Sequence, residues 1–126
     1  MDKIKFLLLP AAILLTFSGC GSSYTPSADA QNSPENVVKS FYEAFAVSPD
    51  SALQFVSDEA QKNEKFQRNW EEIQTWEFTK VDVVEFSDPY VTINMELVID
   101  GETDSSTDEA EVEEVDGKWW IVSVPS

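Results

Sequence analysis

The spacing of apolar residues in this chain changes near Trp76, and the change sets the order of its secondary structure. Before Trp76, apolar side chains recur every three or four residues, which is the spacing of one helix face. After Trp76 they alternate with polar side chains, which is typical of a strand with one buried face. Helices followed by strands joined by tight turns predict an α+β domain, with N-terminal helices packed on a curved, roughly four-stranded antiparallel sheet.

Three helices are predicted in the first part of the domain. The first begins at Ser33-Pro34-Glu35, which supplies an N-cap, a proline at the first helical position and an acid near the positive helix end. Pro49 ends it, because the residue before a proline disfavours helix. Ser48-Pro49-Asp50 then starts a short second helix. The third begins at Ser57, and its apolar stripe comprises Phe66, Trp70 and Ile73.

Four strands are predicted after the helices, at residues 76–86, 91–99, 107–115 and 119–124. In the first strand the alternation slips at Val83-Val84, which indicates a β-bulge. The second strand alternates most clearly. Asp100-Gly101 is predicted to begin a loop, whereas Asp116-Gly117 predicts a tight hairpin.

Three segments of the chain resemble small NTF2-like (cystatin-like) domains, and the DUF4878-type group of bacterial lipoproteins is the most similar. They are the first helix PENVVKSFYEAF, the second helix SALQFVS and the last hairpin EVDGKWWIVSV. The resemblance covers residues 33–124. It implies a strongly curved sheet wrapped around the first helix as a cone, whose mouth forms a pocket. Isomerases, dehydratases, binding modules and assembly domains share this fold, so the resemblance alone gives no function.

The first 20 residues resemble a bacterial lipoprotein signal peptide. Lys3 and Lys5 form a basic head, residues 6–17 are almost entirely apolar, and Phe17-Ser18-Gly19-Cys20 is similar to the lipobox. Proteins with this motif carry diacylglycerol on the cysteine sulfur and usually a further acyl chain, such as palmitate, on the new amino terminus. Cys20 is the only cysteine, and lipidation accounts for a thiol without an internal disulfide partner. Two or more acyl chains give stable anchoring.

These features divide the chain into three parts. Residues 1–19 form the signal peptide, residues 20–33 the lipidated cysteine and a flexible tether, and residues 34–126 the NTF2-like domain. The tether prediction rests on a segment rich in Gly, Ser and Pro without an apolar period. The predicted location is the bacterial cell envelope, with the domain held at a membrane by its lipid. Gly21 after the cysteine implies the outer membrane, facing the periplasm, if the host has two membranes.

The mature chain is strongly acidic. Removing Lys3, Lys5 and Asp2 from the 8 basic and 24 acidic residues leaves six and 23, a formal charge of −17. Nucleic acid and anionic lipid headgroups are bound mainly by Lys and Arg, so the charge argues against both as partners. A solvated, self-repelling surface, adaptation to a salty medium, and a site for cations or a basic partner all fit this charge.

Several chemistries lack the residues that they need. The chain has no histidine, and lipidation takes its only cysteine. Ser/His/Asp and Cys/His nucleophiles, tetrahedral zinc and iron–sulfur sites are therefore excluded. We expect no cofactor and no metal. The carboxylates of residues 100–108 are an alternative as oxygen ligands for calcium, but their spacing does not match an EF-hand loop.

An enzyme that uses a carboxylate and Tyr42 is the second alternative. Ketosteroid isomerase, an NTF2-like protein, combines a tyrosine hydroxyl with a carboxylate base. Tyr42 lies on the inner stripe of the predicted first helix. Asp82 or Glu96 would have to point inward, although Glu96 falls in the polar phase of its strand. We therefore predict a pocket that is small, apolar and without an inward acid.

Aromatic and apolar side chains supply the candidate binding residues. Most are expected in the core, because a curved sheet around a helix must be filled. Trp119 and Trp120 cannot both point inward on one strand, and the predicted phase places Trp120 and Val122 inward. The candidate pocket or partner-binding residues are Phe41, Tyr42, Phe45, Met95, Trp119 and Trp120.

The sequence therefore predicts a lipid-anchored domain of the cell envelope without catalytic activity. Its expected partners are the membrane, through the anchor, and a small apolar ligand, an envelope protein or a second copy of the chain.

Overall fold

The computed structural model describes residues 24–125 of the 126-residue chain. The predicted signal peptide and Cys20 lie outside the described residues. Within them, the helices precede a single four-stranded antiparallel sheet with its strands in chain order, which confirms the predicted α+β class. No helix in residues 24–125 is both long and apolar enough to cross a bilayer.

The helices and a 3₁₀ turn occupy residues 34–73. They are α1 (Pro34–Val47), α2 (Pro49–Ala52), the 3₁₀ turn Leu53–Phe55, α3 (Asp58–Gln61) and α4 (Glu64–Ile73). The strands are β1 (Glu77–Ser87), β2 (Tyr90–Ile99), β3 (Glu102–Val115) and β4 (Lys118–Ile121).

Helix α1 begins and ends where the sequence predicts. The Ser33 hydroxyl accepts a hydrogen bond from the Asn36 backbone N–H, and Pro34 occupies the first turn. The helix ends at Val47, two residues before Pro49. Its buried face comprises Val37, Val38, Phe41, Tyr42, Ala44 and Phe45.

The predicted third helix is two helices. Asn63 separates them, because its side-chain oxygen accepts from the backbone N–H groups of Lys65 and Phe66 and so starts α4. The predicted second helix also ends early. Val56, which the prediction included in that helix as part of SALQFVS, instead forms a parallel bridge with Ile121 of β4.

Two register shifts interrupt the pairing of β1 with β2. One lies between Val83 and Glu85, which confirms the predicted bulge, and the other lies between Phe78 and Lys80. Strand β2 alternates as predicted: Val91, Ile93, Met95 and Leu97 are buried against the helices. The opposite, outer face of the sheet is polar.

The loop predicted after Asp100-Gly101 is instead the turn of a long hairpin. Asp100 and Gly101 both have positive φ, at 54° and 82°, and β3 starts at Glu102. Asp116 and Gly117 repeat these angles, at 53° and 81°, in the predicted last hairpin. Asp-Gly dipeptides favour this backbone, so both turns have the same physical origin. Strand β3 is therefore five residues longer at its start than predicted.

The predicted phase of the last strand is wrong. Ile121 is 1% exposed and lies opposite buried Val112, so Ile121 and Trp119 share the helix-facing side. Trp120 lies opposite Glu113, on the outer face. Two adjacent tryptophans are compatible with either one facing the helices. The register of β3 with β4 decides between them, because it places Ile121 against buried Val112 and so turns Trp119 inward.

Residues 24–33, predicted as part of a flexible tether, lie against the domain. Ala30 is 4% exposed. The Trp119 N–H donates to the Gln31 carbonyl oxygen at 3.0 Å, and the Gln31 side-chain N–H donates to the Trp119 carbonyl oxygen, also at 3.0 Å. The Tyr24 ring packs edge-on against Phe55 at 6.1 Å. These contacts hold the chain on the domain from Tyr24 onward.

Candidate functional site

An aromatic cluster fills the space between α1 and the sheet. Phe41 and Tyr42 meet edge-to-face at 4.9 Å, and Phe45 packs against Trp70 at 5.6 Å and Phe78 at 5.3 Å. Phe41, Tyr42 and Phe45 are all nearly buried. The sequence prediction thus identified three side chains that lie together, but they fill the inner face of the domain.

The other three predicted binding residues do not join this cluster. Met95 is 3% exposed and belongs to the core. Trp119 of β4 packs edge-on against Phe86 of β1 at 5.5 Å. Trp120 lies on the outer face. The six candidates therefore do not line one pocket.

A groove between α1 and β1 is the accessible part of the aromatic cluster. Its volume is about 220 Å³. The Tyr42 ring lines it together with Ala46, and both helix positions face the first half of β1. The full lining is Lys39, Tyr42, Glu43, Ala46, Phe78, Thr79, Lys80 and Val81. We call this the α1/β1 groove.

The Tyr42 hydroxyl is the one buried side-chain polar atom in residues 24–125 without a hydrogen-bond partner. The residue is 7% exposed. Its burial, and secondly the negative charge of Asp108, raise the pKa of the Tyr42 phenol above its usual value. The hydroxyl therefore keeps its proton at neutral pH and is a hydrogen-bond donor without an acceptor.

Asp108 is the candidate for the carboxylate base that an enzyme using Tyr42 would need. It lies opposite buried Ile93, so its half-buried carboxylate is on the helix-facing side of the sheet. It makes no hydrogen bond to Tyr42. The predicted absence of an inward acid concerned the pocket beside Tyr42, which Asp108 does not line, but the sequence analysis did not identify Asp108 as an inward carboxylate. The signal was present, because Asp108 precedes inward Ala110 by two residues.

The two carboxylates considered in the sequence lie elsewhere. Glu96 pairs with Lys80 and Ser105, and Asp82 with Asn94, all on the outer face. They line a polar depression of about 410 Å³ on that face. Asp82 also forms an exposed ion pair with Lys80 at 3.6 Å. Neither carboxylate therefore reaches Tyr42.

The carboxylates after Asp100 follow one strand and do not converge. Within residues 24–125 no three potential metal-ligating side chains form a group. Successive side chains of β3 point to opposite faces, which separates the acids that the sequence places close together.

No protein-family model, curated protein or solved structure matches the chain. The resemblance to NTF2-like lipoprotein domains therefore stays a prediction from the sequence pattern. The order of helices and strands agrees with it at the level of fold class.

Proposed function

We propose that this protein is a lipid-anchored domain of the bacterial cell envelope that binds a protein partner and has no catalytic activity. The observation that carries the proposal is the filled interior. Because the aromatic cluster occupies the space under α1, the apolar surface left accessible there is the α1/β1 groove. Its volume of about 220 Å³ is below the roughly 300–1,000 Å³ of small-molecule pockets. The groove suits one apolar side chain.

The composition of the groove supports recognition of a protein. Ala46, Phe78 and Val81 form an apolar floor, and Lys39 and Glu43 place opposite charges on its α1 side. An apolar anchor surrounded by polar groups is the usual arrangement of an interface hot spot. The flanking charges would orient the partner's backbone around the inserted side chain.

Photo-crosslinking in intact cells tests the groove. A photoreactive residue at Thr79, which lines the groove, should join one defined envelope protein, whereas the same residue at Glu71 on α4 should not. Ala46→Phe fills the groove and should abolish that product. Val47→Phe, at the next and exposed position, is the matched control and should leave it unchanged. A product that survives Ala46→Phe contradicts the groove as the binding site.

Cys20→Ala tests the anchor in the same cells. The substitution removes the only sulfur that the acyl chains can join. We expect loss of acyl labelling and of membrane association, with the crosslink lost or reduced accordingly. Undiminished acyl labelling of the variant would contradict the lipoprotein part of the proposal.

The second candidate function is a pocket enzyme that uses Tyr42 and a carboxylate. Asp108 on the helix-facing side of the sheet is the observation in its favour. Asp108 does not line the α1/β1 groove, and the Tyr42 hydroxyl is buried. A substrate would therefore need a route to both groups that the groove does not supply.

A further inference from the structure

The first half of β3 is a strand edge without a partner. Residues 102–111 pair with β2 on one side, and β4 pairs only with Val112–Val115 on the other. Within the described chain no strand adjoins residues 102–110 on that second side. We call this stretch the β3 edge. The opposite edge of the sheet, along β1, is interrupted by two bulges, which are a known protection against added strands.

Hydrogen bonds show which backbone groups the β3 edge presents. The Val112 N–H donates to Pro89 on the β2 side, whereas the Glu111 carbonyl oxygen accepts from Val122 on the other side. The direction alternates along an antiparallel strand. The N–H and C=O groups of Glu109, Thr107, Ser105 and Thr103 therefore point away from β2.

Two aspartates cover part of this edge. The Asp104 carboxylate accepts from the Ser105 backbone N–H at 2.9 Å, and the Asp108 carboxylate accepts from the Glu109 N–H at 2.7 Å. Both N–H groups lie on the β3 edge, where no neighbouring strand of the described chain supplies a carbonyl oxygen as acceptor. Both aspartates are on the helix-facing side, opposite Leu97 and Ile93, and are four residues apart.

The negative charge of the β3 edge indicates which kind of strand could pair with it. The β3 edge, residues 102–110, contains four acidic residues and no basic residue. A second copy of the same edge would bring these acids face to face, so like charges oppose self-pairing. A strand with basic side chains would meet complementary charge.

We propose that the β3 edge binds an extended basic segment of another protein by adding it as a strand to the sheet. The segment carries Lys or Arg at two positions four residues apart, separated by uncharged residues. Its basic groups pair with Asp104 and Asp108 and draw the carboxylates away from the Ser105 and Glu109 amides. The segment's carbonyl oxygens then accept from those amides. The proposal is independent of the α1/β1 groove and of the anchor.

The spacing follows from strand geometry. Side chains alternate between faces, so residues opposite Asp104 and Asp108 lie four apart and on one face of the added strand. Residues between them on the other face meet Ser105 and Thr107, which are small and uncharged. Two basic residues three apart would point to opposite faces and pair with only one of the aspartates.

Two acetylated, amidated peptides of equal composition test this spacing. The sequence TKVTVKT has its lysines four apart, and TKVTKVT has them three apart. Each is titrated into the intact ¹⁵N-labelled chain in non-ionic detergent at low salt, and amide NMR shifts are followed. We expect the first peptide to shift the Ser105 and Glu109 amides and to bind about five times more tightly, since one exposed charge pair is worth up to about 1 kcal/mol. Equal affinities, or shifts spread over the acidic surface, would overturn the proposal.

N-methylation of the first peptide separates strand addition from charge attraction. In the antiparallel arrangement, the N–H of the first valine faces β3, and that of the central threonine faces away. Methylation of this valine should weaken binding on the order of fivefold, because it removes one backbone hydrogen bond. Methylation of the threonine should have little effect. Equal effects of the two methyl groups would contradict strand addition.

A paired substitution tests the aspartates. Asp104→Asn with Asp108→Asn should lower the affinity for the first peptide about tenfold and abolish its preference over the second. Glu71→Gln with Glu72→Gln on α4 removes the same charge far from the edge and should preserve the preference. If the two aspartates serve only to prevent strands from pairing with the β3 edge, the wild type binds neither peptide and the Asn variant self-associates. That outcome overturns the proposal, and the wild-type peptide comparison decides the question even if the Asn variant does not fold.

Discussion

The Tyr42 hydroxyl is shielded from solvent and has no hydrogen-bond acceptor among residues 24–125. A buried polar group without a hydrogen bond costs about 1–3 kcal/mol, because its bonds to water are lost without replacement. The edge-to-face contacts of the ring with Phe41 at 4.9 Å and Phe78 at 5.2 Å offset this cost. At the scale of single residues, Tyr42 therefore serves the core through its ring.

We expect Tyr42→Phe to stabilise the domain at pH 7 by about 1 kcal/mol, because the ring stays and the unpaired hydroxyl is removed. Above pH 10, the usual pKa of tyrosine, the wild-type unfolded state loses its phenol proton while the folded state retains it. The wild-type free energy of unfolding therefore falls as pH rises through this range, and this part of the fall is absent in Tyr42→Phe. Urea unfolding at pH 7 and at about pH 11 measures both effects.

Tyr24→Phe is the matched control for the measurement at pH 7. The Tyr24 hydroxyl donates to Glu43 at 3.1 Å and is exposed, so its removal should give no gain at pH 7. A loss of stability in Tyr42→Phe at pH 7 would contradict the expectation. It would mean that an acceptor, such as a ligand or water held between Tyr42 and Asp108, satisfies the hydroxyl, which favours the pocket-enzyme alternative.

At the scale of elements, helix caps, the bulge and the last turn were predictable from the sequence, whereas the start of β3 and the phase of β4 were not. The Ser33 cap, the bulge at Val83 and the Asp116-Gly117 turn were predictable because each is set by local chemistry. The start of β3 was missed because residues 102–106 are polar on both faces and show no apolar alternation. The phase of Trp119 and Trp120 depends on cross-strand register, which no local pattern contains.

The candidate site was predictable to the same extent. The helical spacing of Phe41, Tyr42 and Phe45 correctly placed them on one buried face. The groove beside them also needs residues 78–81 of β1, and only the tertiary packing of α1 on that strand brings these into contact with the helix.

Asn63→Ala should destabilise the domain by about 1 kcal/mol, because the side-chain oxygen that starts α4 is lost. Asn63→Asp should retain most of the stability, since an aspartate accepts the same bonds and favours the positive helix end. Lys62→Ala, one residue earlier and exposed, is the control. Thermal unfolding followed by far-UV circular dichroism measures the difference. Equal stability of Asn63→Ala and wild type would show that tertiary contacts alone hold Phe66 and α4 in place.

At the scale of the whole molecule, charge is the dominant surface property. One ion pair, Lys80 with Asp82, joins side chains within the described part of the chain, and it is exposed. The other carboxylates of residues 24–125 form no ion pair with a basic side chain of this segment, so their mutual repulsion opposes folding.

We expect the Tm to rise by on the order of 5 °C as NaCl increases from about 0.02 M to 0.5 M, because salt screens this repulsion. Choline chloride at equal ionic strength should give a similar rise, since screening does not depend on the identity of the cation. A Tm that stays flat or falls would contradict the expectation. A rise with NaCl alone would instead indicate that sodium occupies specific sites.

The paired hydrogen bonds between Gln31 and Trp119 affect how the domain would meet its partners if the proposed lipid holds it at a membrane. A thirteen-residue tether would let the domain reach roughly 45 Å from the membrane, whereas only four peptide units separate Cys20 from Tyr24, a span of at most about 14 Å. With the proposed lipid on Cys20, the domain is therefore confined to a thin layer above the bilayer and diffuses laterally within it. Encounters in such a layer occur at high local concentration and favour partners that are themselves fixed to the membrane. Freely diffusing proteins are met less often than these neighbours, even where their affinity is the same.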